Sequence, residues 1–365
     1  MALALSLGRR GLGHVWPNPA VGCVIVNDGV IVGRGWTQEG GRPHAEVVAL
    51  AQAGAQARGA TAHVTLEPCA HHGKSPPCAD ALVDAGVKRV VVALTDPDPR
   101  VNGTGIARLR AAGVEVVEGV LADAARADQA GFLSRVTTGR PMVTLKLATS
   151  FDGRIATASG ESRWITGPAA RHEVHALRMR HDAVMIGAGT ARADDPVLNV
   201  RGMGHVHQPV RVVLARNLDL PRHGRLAASA REMPLWLLHG EDADAAAIAA
   251  WRDLGAELFP VPVVAGQLDL AAALAALGGR GLTRVMCEGG GGLAASLLKT
   301  GLVDRLVSFT AGLAMGAEGR PAIAALGLGE LAEAPRFRLA ETRAIGGDVM
   351  HVWQRRERVE TDLIQ

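Results

Sequence analysis

The stretch EPCAHHGKSPPC, Glu67 to Cys78, sets two of the chain's four cysteines apart with eight residues between them. A proline precedes each cysteine, and His71 and His72 lie inside the loop. Thiolate and imidazole are zinc ligands, so the first question is whether the loop closes a metal site by itself. A local site built from Cys69, Cys78, His71 and His72 would fill all four tetrahedral positions and leave none for water. Adjacent histidines also seldom turn toward one ion. Upstream, RPHAEVVAL offers His44 and Glu46 in an H-x-E arrangement at the start of a helical pattern. His44 with Cys69 and Cys78 makes three ligands and keeps one position open.

H-x-E followed by P-C and a second cysteine is the pattern of zinc nucleobase deaminases. In that chemistry His44, Cys69 and Cys78 bind zinc. Glu46 is not a ligand; it takes a proton from water and passes it to the departing amine. The spacing puts His44 at one helix start and Pro77-Cys78 at another, and positive helix ends favour thiolate over thiol.

The surrounding pattern is layered α/β. AVGCVIV (Ala20–Val26), ATAHVTL (Ala60–Leu66) and RVVVAL (Arg89–Leu94) read as strands, the last apolar enough to be buried on both faces. HAEVVALAQAGA (His44–Ala55) and CADALVDAGV (Cys78–Val87) read as helices that stop near Gly54 and Gly86. A polar turn, TTGRP (Thr137–Pro141), then precedes a new strand, MVTLKLA. The expected domains are 1–138 and 139–356, with a polar tail at 357–365. In the second domain DAVMIG, PVRVVLA, PLWLLHG and TRVMCEGG are expected strands.

A length of 365 residues suits two domains, and 48% hydrophobic residues supply their cores. The 39 basic and 36 acidic residues are interspersed, without a basic arm, which argues against nucleic-acid binding by bulk charge. Four cysteines do not make a disulfide framework in a chain this long; cysteines near histidines suggest metal in a reducing compartment. No apolar run reaches about 18 residues, so no membrane span is expected. MALALSLGRRGLG lacks the features of a signal peptide, and the expected location is the cytoplasm.

The second half has a glycine-rich turn, VMCEGGGGLAASLL, between a strand and a helix. Backbone N–H groups there can approach a phosphate, although the G-x-G-x-x-G spacing is missing. A flexible strand–helix turn explains the run equally well. KLATSFDGRIA turns at Asp152-Gly153, SGESRWITG leads into a helix, and AGTARADDPVLNVR reads as a loop.

The elongated CAHHGKSPPC, with WPNPAVGCVIV near the start and LTDPDPRVNGTG after the third strand, resembles the bifunctional riboflavin-biosynthesis deaminase–reductases. The resemblance extends over nearly the whole chain. It implies a cytidine-deaminase-like α/β/α domain and a dihydrofolate-reductase-like α/β domain. The first would deaminate a diaminopyrimidinone ribosylamino phosphate with one zinc per chain. The second would reduce the ribosyl group to ribityl with NADPH.

Carried over residue by residue, the resemblance assigns zinc to His44, Cys69 and Cys78 and the proton shuttle to Glu46. It puts Asn18, Lys74, Asp96 and Asp98 near the first substrate, where a lysine suits a phosphate. In the second domain it turns Ala148, Trp164, Thr190, Asp194 and the run Gly290, Gly291, Gly292, Leu293, Ala294, Ala295 and Ser296 toward NADPH. Lys146, Ser162, Arg178, Leu198, Arg201 and Glu288 would meet the sugar phosphate, with Lys146 at a strand end and the two arginines converging on the phosphate.

The chain departs from this family in two places. Its loop reads D-P-D-P where the family has D-P-N-P, so Asp98 offers acceptors only. Its first helix is also expected to be short. Cys23 and Cys287 are expected to be buried small apolar groups. The expected partners are a phosphorylated pyrimidine and copies of the chain in a dimer or tetramer, without nucleic acid or membrane. Two other readings are a deaminase of bases or nucleic acids with an unrelated second domain, and a zinc-stapled NADP-binding regulator.

Overall fold

The computed structural model describes residues 1–71 and 76–356, which fall into two compact units. The first comprises Met1–Pro141 with Gly278–Thr283, and the second Met142–Leu277 with the chain from Arg284 onward.

In the first unit, α1 (Ala2–Gly8) precedes β1 (Gly22–Asn27) and β2 (Val30–Trp36). There follow α2 (Ala45–Ala53), β3 (Thr61–Val64), α3 (Cys78–Asp84), β4 (Arg89–Val92), α4 (Thr104–Ala111), β5 (Glu115–Glu118) and α5 (Ala122–Thr138). The five strands form one sheet in the order β2-β1-β3-β4-β5. β1 runs antiparallel to β2 and β3, while β3, β4 and β5 are mutually parallel.

Alternation along β1 sorts its side chains between two layers. Cys23 and Ile25 pack with Ala45, Ala49 and Ala53 of α2. Val24 packs with Ala4 and Leu7 of α1. The helix that carries His44 and Glu46 at its start lies almost on the backbone of β2. A Cβ at Gly33 would come within 2.2 Å of the Ala49 carbonyl, and one at Gly35 within 2.1 Å of the Ala45 carbonyl. Only glycine permits that approach. The two glycines interrupt the apolar run, which hides β2 from a pattern search.

The second unit begins with β6 (Met142–Ser150), β7 (Arg154–Ala156), α6 (Pro168–Met179), β8 (Ala183–Gly187), α7 (Ala188–Asp194) and β9 (Val210–Leu214). It continues through α8 (Arg225–Ala228), β10 (Leu235–Gly240), α9 (Ala245–Asp253) and β11 (Glu257–Val261). A short pair, β12 (Val263–Val264) and β13 (Gln267–Leu268), precedes α10 (Leu270–Gly279). Then come β14 (Arg284–Cys287), α11 (Gly291–Lys299), β15 (Arg305–Ala311), β16 (Arg320–Pro321), β17 (Phe337–Ile345) and β18 (Asp348–Arg355).

Nine strands make the main sheet, ordered β11-β10-β9-β8-β14-β6-β15-β18-β17. From β11 across to β15 the neighbours are parallel, and β18 and β17 close the edge antiparallel. The strands expected in the second domain all form. β9 and β10 are buried throughout, as parallel strands covered on both faces should be.

From the centre, one run of strands proceeds through β8, β9, β10 and β11, and another passes from β6 to β15. The direction of winding therefore changes around β8, β14 and β6, and in parallel sheets ligands bind beyond the strand ends at such a point.

Two expectations change here. Ala188–Asp194 is helical, although AGTARADDPVLNVR was expected to be a loop. Its early glycine and the Asp-Asp-Pro run mask a helix of about two turns. Lys146 sits in the middle of β6, not at its end. Among the described residues no helix is long and apolar enough to cross a membrane.

Candidate active sites

The first site forms where two helix starts meet. His44 is the residue before the first turn of α2, and Cys78 opens α3 after Pro77. Cys69 follows the end of β3. The Nδ1 of His44 lies 3.3 Å from the Cys78 Sγ and 3.7 Å from the Cys69 Sγ. The three ligand atoms all lie within 4.8 Å of one another.

This arrangement fits zinc. Zn–S bonds of about 2.3 Å and a Zn–N bond of about 2.0–2.1 Å at tetrahedral angles separate sulfur and nitrogen by about 3.5 Å. The backbone N–H of Cys78 donates to the Cys69 Sγ at 3.3 Å, and that of Ala79 to the Cys69 carbonyl at 3.1 Å. Bonds from the Cys78 side chain and from His44 hold the Cys69 thiol well below its ordinary range, favouring thiolate. His71 is not in this group. His72 and Lys74 lie outside the described residues.

Glu46, 3% exposed, lies in the first turn of α2 beside the cluster. Burial first, and then the negative Cys69, push its carboxyl up to about 7. A carboxyl at that value can both take and return a proton near neutral pH.

Asn18 is held close to the His44 segment. A Cβ at Gly41, whose φ is +84°, would come within 1.8 Å of the Asn18 Nδ2. Asp96 and Asp98 are both buried. Burial raises Asp96 to about 6, whereas Arg100 holds Asp98 below the usual carboxylate range.

Glu67, absent from the sequence-based site, joins this loop to the cysteines. Its Oε1 accepts from the backbone N–H groups of Gly105 and Ile106 at 2.9 and 3.1 Å. Its Oε2 accepts from Asp96 and Gly103 at 3.2 and 2.9 Å. One buried carboxylate, two residues before Cys69, thus fixes the 96–106 segment. The signal in the sequence was an acid in an otherwise apolar strand end.

The second site lies at the winding switch of the large sheet. Lys146 and Ala148 share one face of β6, two residues apart. Glu288 directly follows β14 and reaches both Lys146 and α6. Arg178 Nε and Nη2 donate to its two carboxylate oxygens at 2.6 and 3.1 Å, and Lys146 Nζ lies 3.7 Å from Oε2. Burial would raise the Glu288 carboxyl, but Arg178 and Lys146 outweigh it and hold it at about 2. Burial lowers Lys146 from its ordinary value.

Arg178 Nη1 also donates to the Asn199 carbonyl at 2.8 Å. The guanidinium expected to meet a phosphate is therefore bonded to protein groups on three of its N–H directions. Arg201 is exposed, and its backbone N–H donates to His175 Nδ1 at 3.2 Å. The expected convergence of Arg178 and Arg201 is not built by a bond between them. Leu198 has φ +60° and is 4% exposed, packed in the core with Val184 and Ile186. Only its backbone is available to a ligand.

The glycine turn sits beside α7. Gly290 N–H donates to Thr190 Oγ1 at 3.0 Å. A Cβ at Gly291 would come within 2.8 Å of the Pro321 carbonyl, while one at Gly292 would meet nothing within 4 Å. Gly292, Leu293, Ala294, Ala295 and Ser296 form the first turns of α11, with Ala294 and Ala295 buried. Trp164 is 67% exposed, with the Arg171 guanidinium over its ring at 4.6 Å, and Ser162 lies two residues before it. Asp194, at the end of α7, accepts from Arg163 through its carbonyl at 3.1 Å. An exposed aromatic, a hydroxyl and an open glycine-led helix start suit a dinucleotide phosphate. Cys23 and Cys287 are fully buried.

Known proteins correspond to both units. Residues 1–94 match the cytidine and deoxycytidylate deaminase zinc-binding region, and residues 141–351 match the RibD C-terminal domain. The chain is 43% identical over 362 residues to the riboflavin biosynthesis protein RibD of Escherichia coli, covering 96% of each. It is 39% identical over 355 residues to RibD of Aquifex aeolicus, covering 97% of each.

Among solved structures, Acinetobacter baumannii RibD superimposes with a TM-score of 0.88 at 40% identity over 98% of both chains. A diaminohydroxyphosphoribosylaminopyrimidine deaminase/5-amino-6-(5-phosphoribosylamino)uracil reductase from Thermotoga maritima gives 0.86 at 33% identity over 97% of both. The expected pairing of a cytidine-deaminase-like domain with a dihydrofolate-reductase-like domain holds. The chain belongs to the RibD family, bifunctional enzymes of riboflavin biosynthesis that join a zinc-dependent deaminase domain to an NADPH-dependent reductase domain.

Proposed function

We propose that His44, Cys69 and Cys78 hold the zinc and that Glu46 carries the proton in deamination of a diaminopyrimidinone ribosylamino 5′-phosphate. The observation that carries this reading is the three-atom cluster with a buried carboxyl beside it. Bound there, zinc would supply the Lewis acidity that makes a water nucleophilic near neutral pH. Glu46 accepts the proton that water gives up and delivers it to the exocyclic nitrogen, which leaves as ammonia, and the remaining hydroxyl proton passes to the ring nitrogen as the ring carbon becomes a carbonyl. Asn18, Asp96 and Asp98 line the substrate side, with Lys74 assigned to its phosphate.

The second site then reduces the ribosyl group to ribityl. NADPH supplies the hydride, and the protein's part is to place donor and acceptor carbons together. Ala148, Trp164, Thr190, Asp194 and the Gly290–Ser296 turn take the cofactor. Lys146, Ser162, Arg178, Arg201, Glu288 and the Leu198 backbone take the sugar phosphate. In this reading Glu288 holds Arg178 in place, and Arg201 is the guanidinium that meets the phosphate. The domains divide as residues 1–138 and 139–356, and the enzyme works in the cytoplasm as a dimer or tetramer.

Purified enzyme given the diaminopyrimidinone phosphate should release ammonia without NADPH, and NADPH oxidation should begin only after deamination. Ammonia release from a protein free of zinc would contradict the first half. Oxidation of NADPH without conversion of the deaminated product would contradict the second.

A further inference from the structure

We infer that Arg100 is a specificity-determining residue of the deaminase site, one that converts Asp98 from a liability toward an anionic substrate into half of a neutral donor unit. Asp98 is 7% exposed, and its carboxylate is bound almost entirely by one neighbour. Arg100 Nε donates to Oδ1 at 2.9 Å and to Oδ2 at 3.1 Å, and Nη2 donates to Oδ2 at 2.5 Å. The Arg100 backbone N–H adds a bond to Oδ1 at 3.0 Å, closing a turn over two residues.

The setting makes this pair necessary. The Asp98 backbone N–H donates to Asp96 Oδ1 at 2.9 Å, and the Asp96 N–H donates to Glu67. Three carboxyl groups are therefore linked by hydrogen bonds, starting from Glu67, two residues before Cys69. With its partner absent, Asp98 would add a negative charge to this segment and disfavour a substrate that carries a phosphate. Within this segment the charged partner of Asp98 is Arg100, and His71, on the cysteine loop, also acts on Asp98 electrostatically.

The Arg100 side chain remains 70% exposed, and Nη1 takes no part in the bonds to Asp98. Where the resemblance implies an amide that donates and accepts, this chain has a carboxylate covered by a guanidinium that donates. A carboxylate alone offers no donor and adds a charge. The two-residue unit restores both the donor and the neutrality.

The inference rests on the reading of the first site as acting on a phosphorylated pyrimidine. Its test is a double-mutant cycle on ammonia release, with zinc content and NADPH oxidation on the deaminated substrate as folding controls. Arg100→Ala should raise KM by about tenfold, with kcat changed by less than about threefold, because the exposed partner is lost and the buried charge remains. Asp98→Asn in the Arg100→Ala background should recover most of that loss, although the pair is then wholly absent. A merely structural role predicts the opposite, a double variant at least as impaired as Arg100→Ala. That result, or an unchanged KM in Arg100→Ala, overturns the inference while leaving the deaminase reading intact. A wild-type enzyme that releases no ammonia from this substrate overturns both.

Discussion

Arg178 and Glu288, 110 residues apart in sequence, form a two-pronged ion pair at 2.6 and 3.1 Å, with Lys146 Nζ 3.7 Å from the same carboxylate. Both partners are largely buried, with side chains 13% and 10% exposed. A bidentate pair between α6 and the end of β14 ties a helix to the centre of the sheet. It also fixes the ammonium of β6 relative to both.

Glu288→Gln is therefore expected to leave two buried cations with a neutral partner. Breaking a buried pair on one side costs about 3 kcal/mol or more. The reductase unit should melt earlier, and NADPH oxidation should fall steeply while ammonia release continues. Differential scanning calorimetry with separate assays of the two half-reactions checks this. A parallel loss of ammonia release would sink the separation of the sites.

Cys69→Ser should reduce bound zinc below one per chain and cut ammonia release by about a hundredfold. Glu46→Gln should differ in kind. It removes no ligand, so zinc content measured by atomic absorption should be unchanged while ammonia release falls by about a hundredfold or more. Equal zinc loss in the two variants would mean that Glu46 supports the metal rather than the proton.

Glu67→Gln tests the carboxylate that gathers four backbone N–H groups from Asp96, Gly103, Gly105 and Ile106. The amide keeps one acceptor oxygen and turns N–H donors toward donors. Unsatisfied buried groups of this kind cost about 1–3 kcal/mol each. The deaminase unit should lose stability in thermal denaturation, and hydrogen exchange should rise first across the 96–106 segment. Exchange unchanged there would show that other contacts fix the loop.

The metal cluster was legible in the sequence because residue type and order both mark it: H-x-E, then two prolyl cysteines. The ligand types are rare enough that His44, Cys69 and Cys78 stand out without knowledge of their distances. Glu67 and Arg100 carry no such mark. The role of Glu67 arises only when a loop 29 residues downstream folds back, and Arg100 pairs with Asp98 two residues away inside that loop; an acid or an arginine in a loop has many ordinary explanations. Lys146, Arg178 and Glu288 were named through resemblance, but their mutual pairing needed the parallel register that brings β6 and β14 together. The sequence of α7 carries turn residues that favour a loop, and packing on the sheet overrides that preference.

His181 links stability of the second unit to acid. It is 3% exposed, with Nε2 at 2.9 Å from the Thr144 hydroxyl and Nδ1 at 2.7 Å from the Leu177 carbonyl. A neutral ring satisfies both, donating from Nδ1 to the carbonyl and accepting at Nε2. Burial lowers its value from the ordinary 6.5 to about 3. The unfolded chain thus binds a proton between those values that the folded chain does not. The histidine's contribution is complete above pH 6.5 and declines as pH falls toward 3, by about 1.4 kcal/mol per pH unit. The melting temperature of the second unit should fall over pH 6 to 4, and His181→Gln should flatten that slope even if it lowers the starting value. Parallel slopes for wild type and variant would show that another group governs the acid sensitivity.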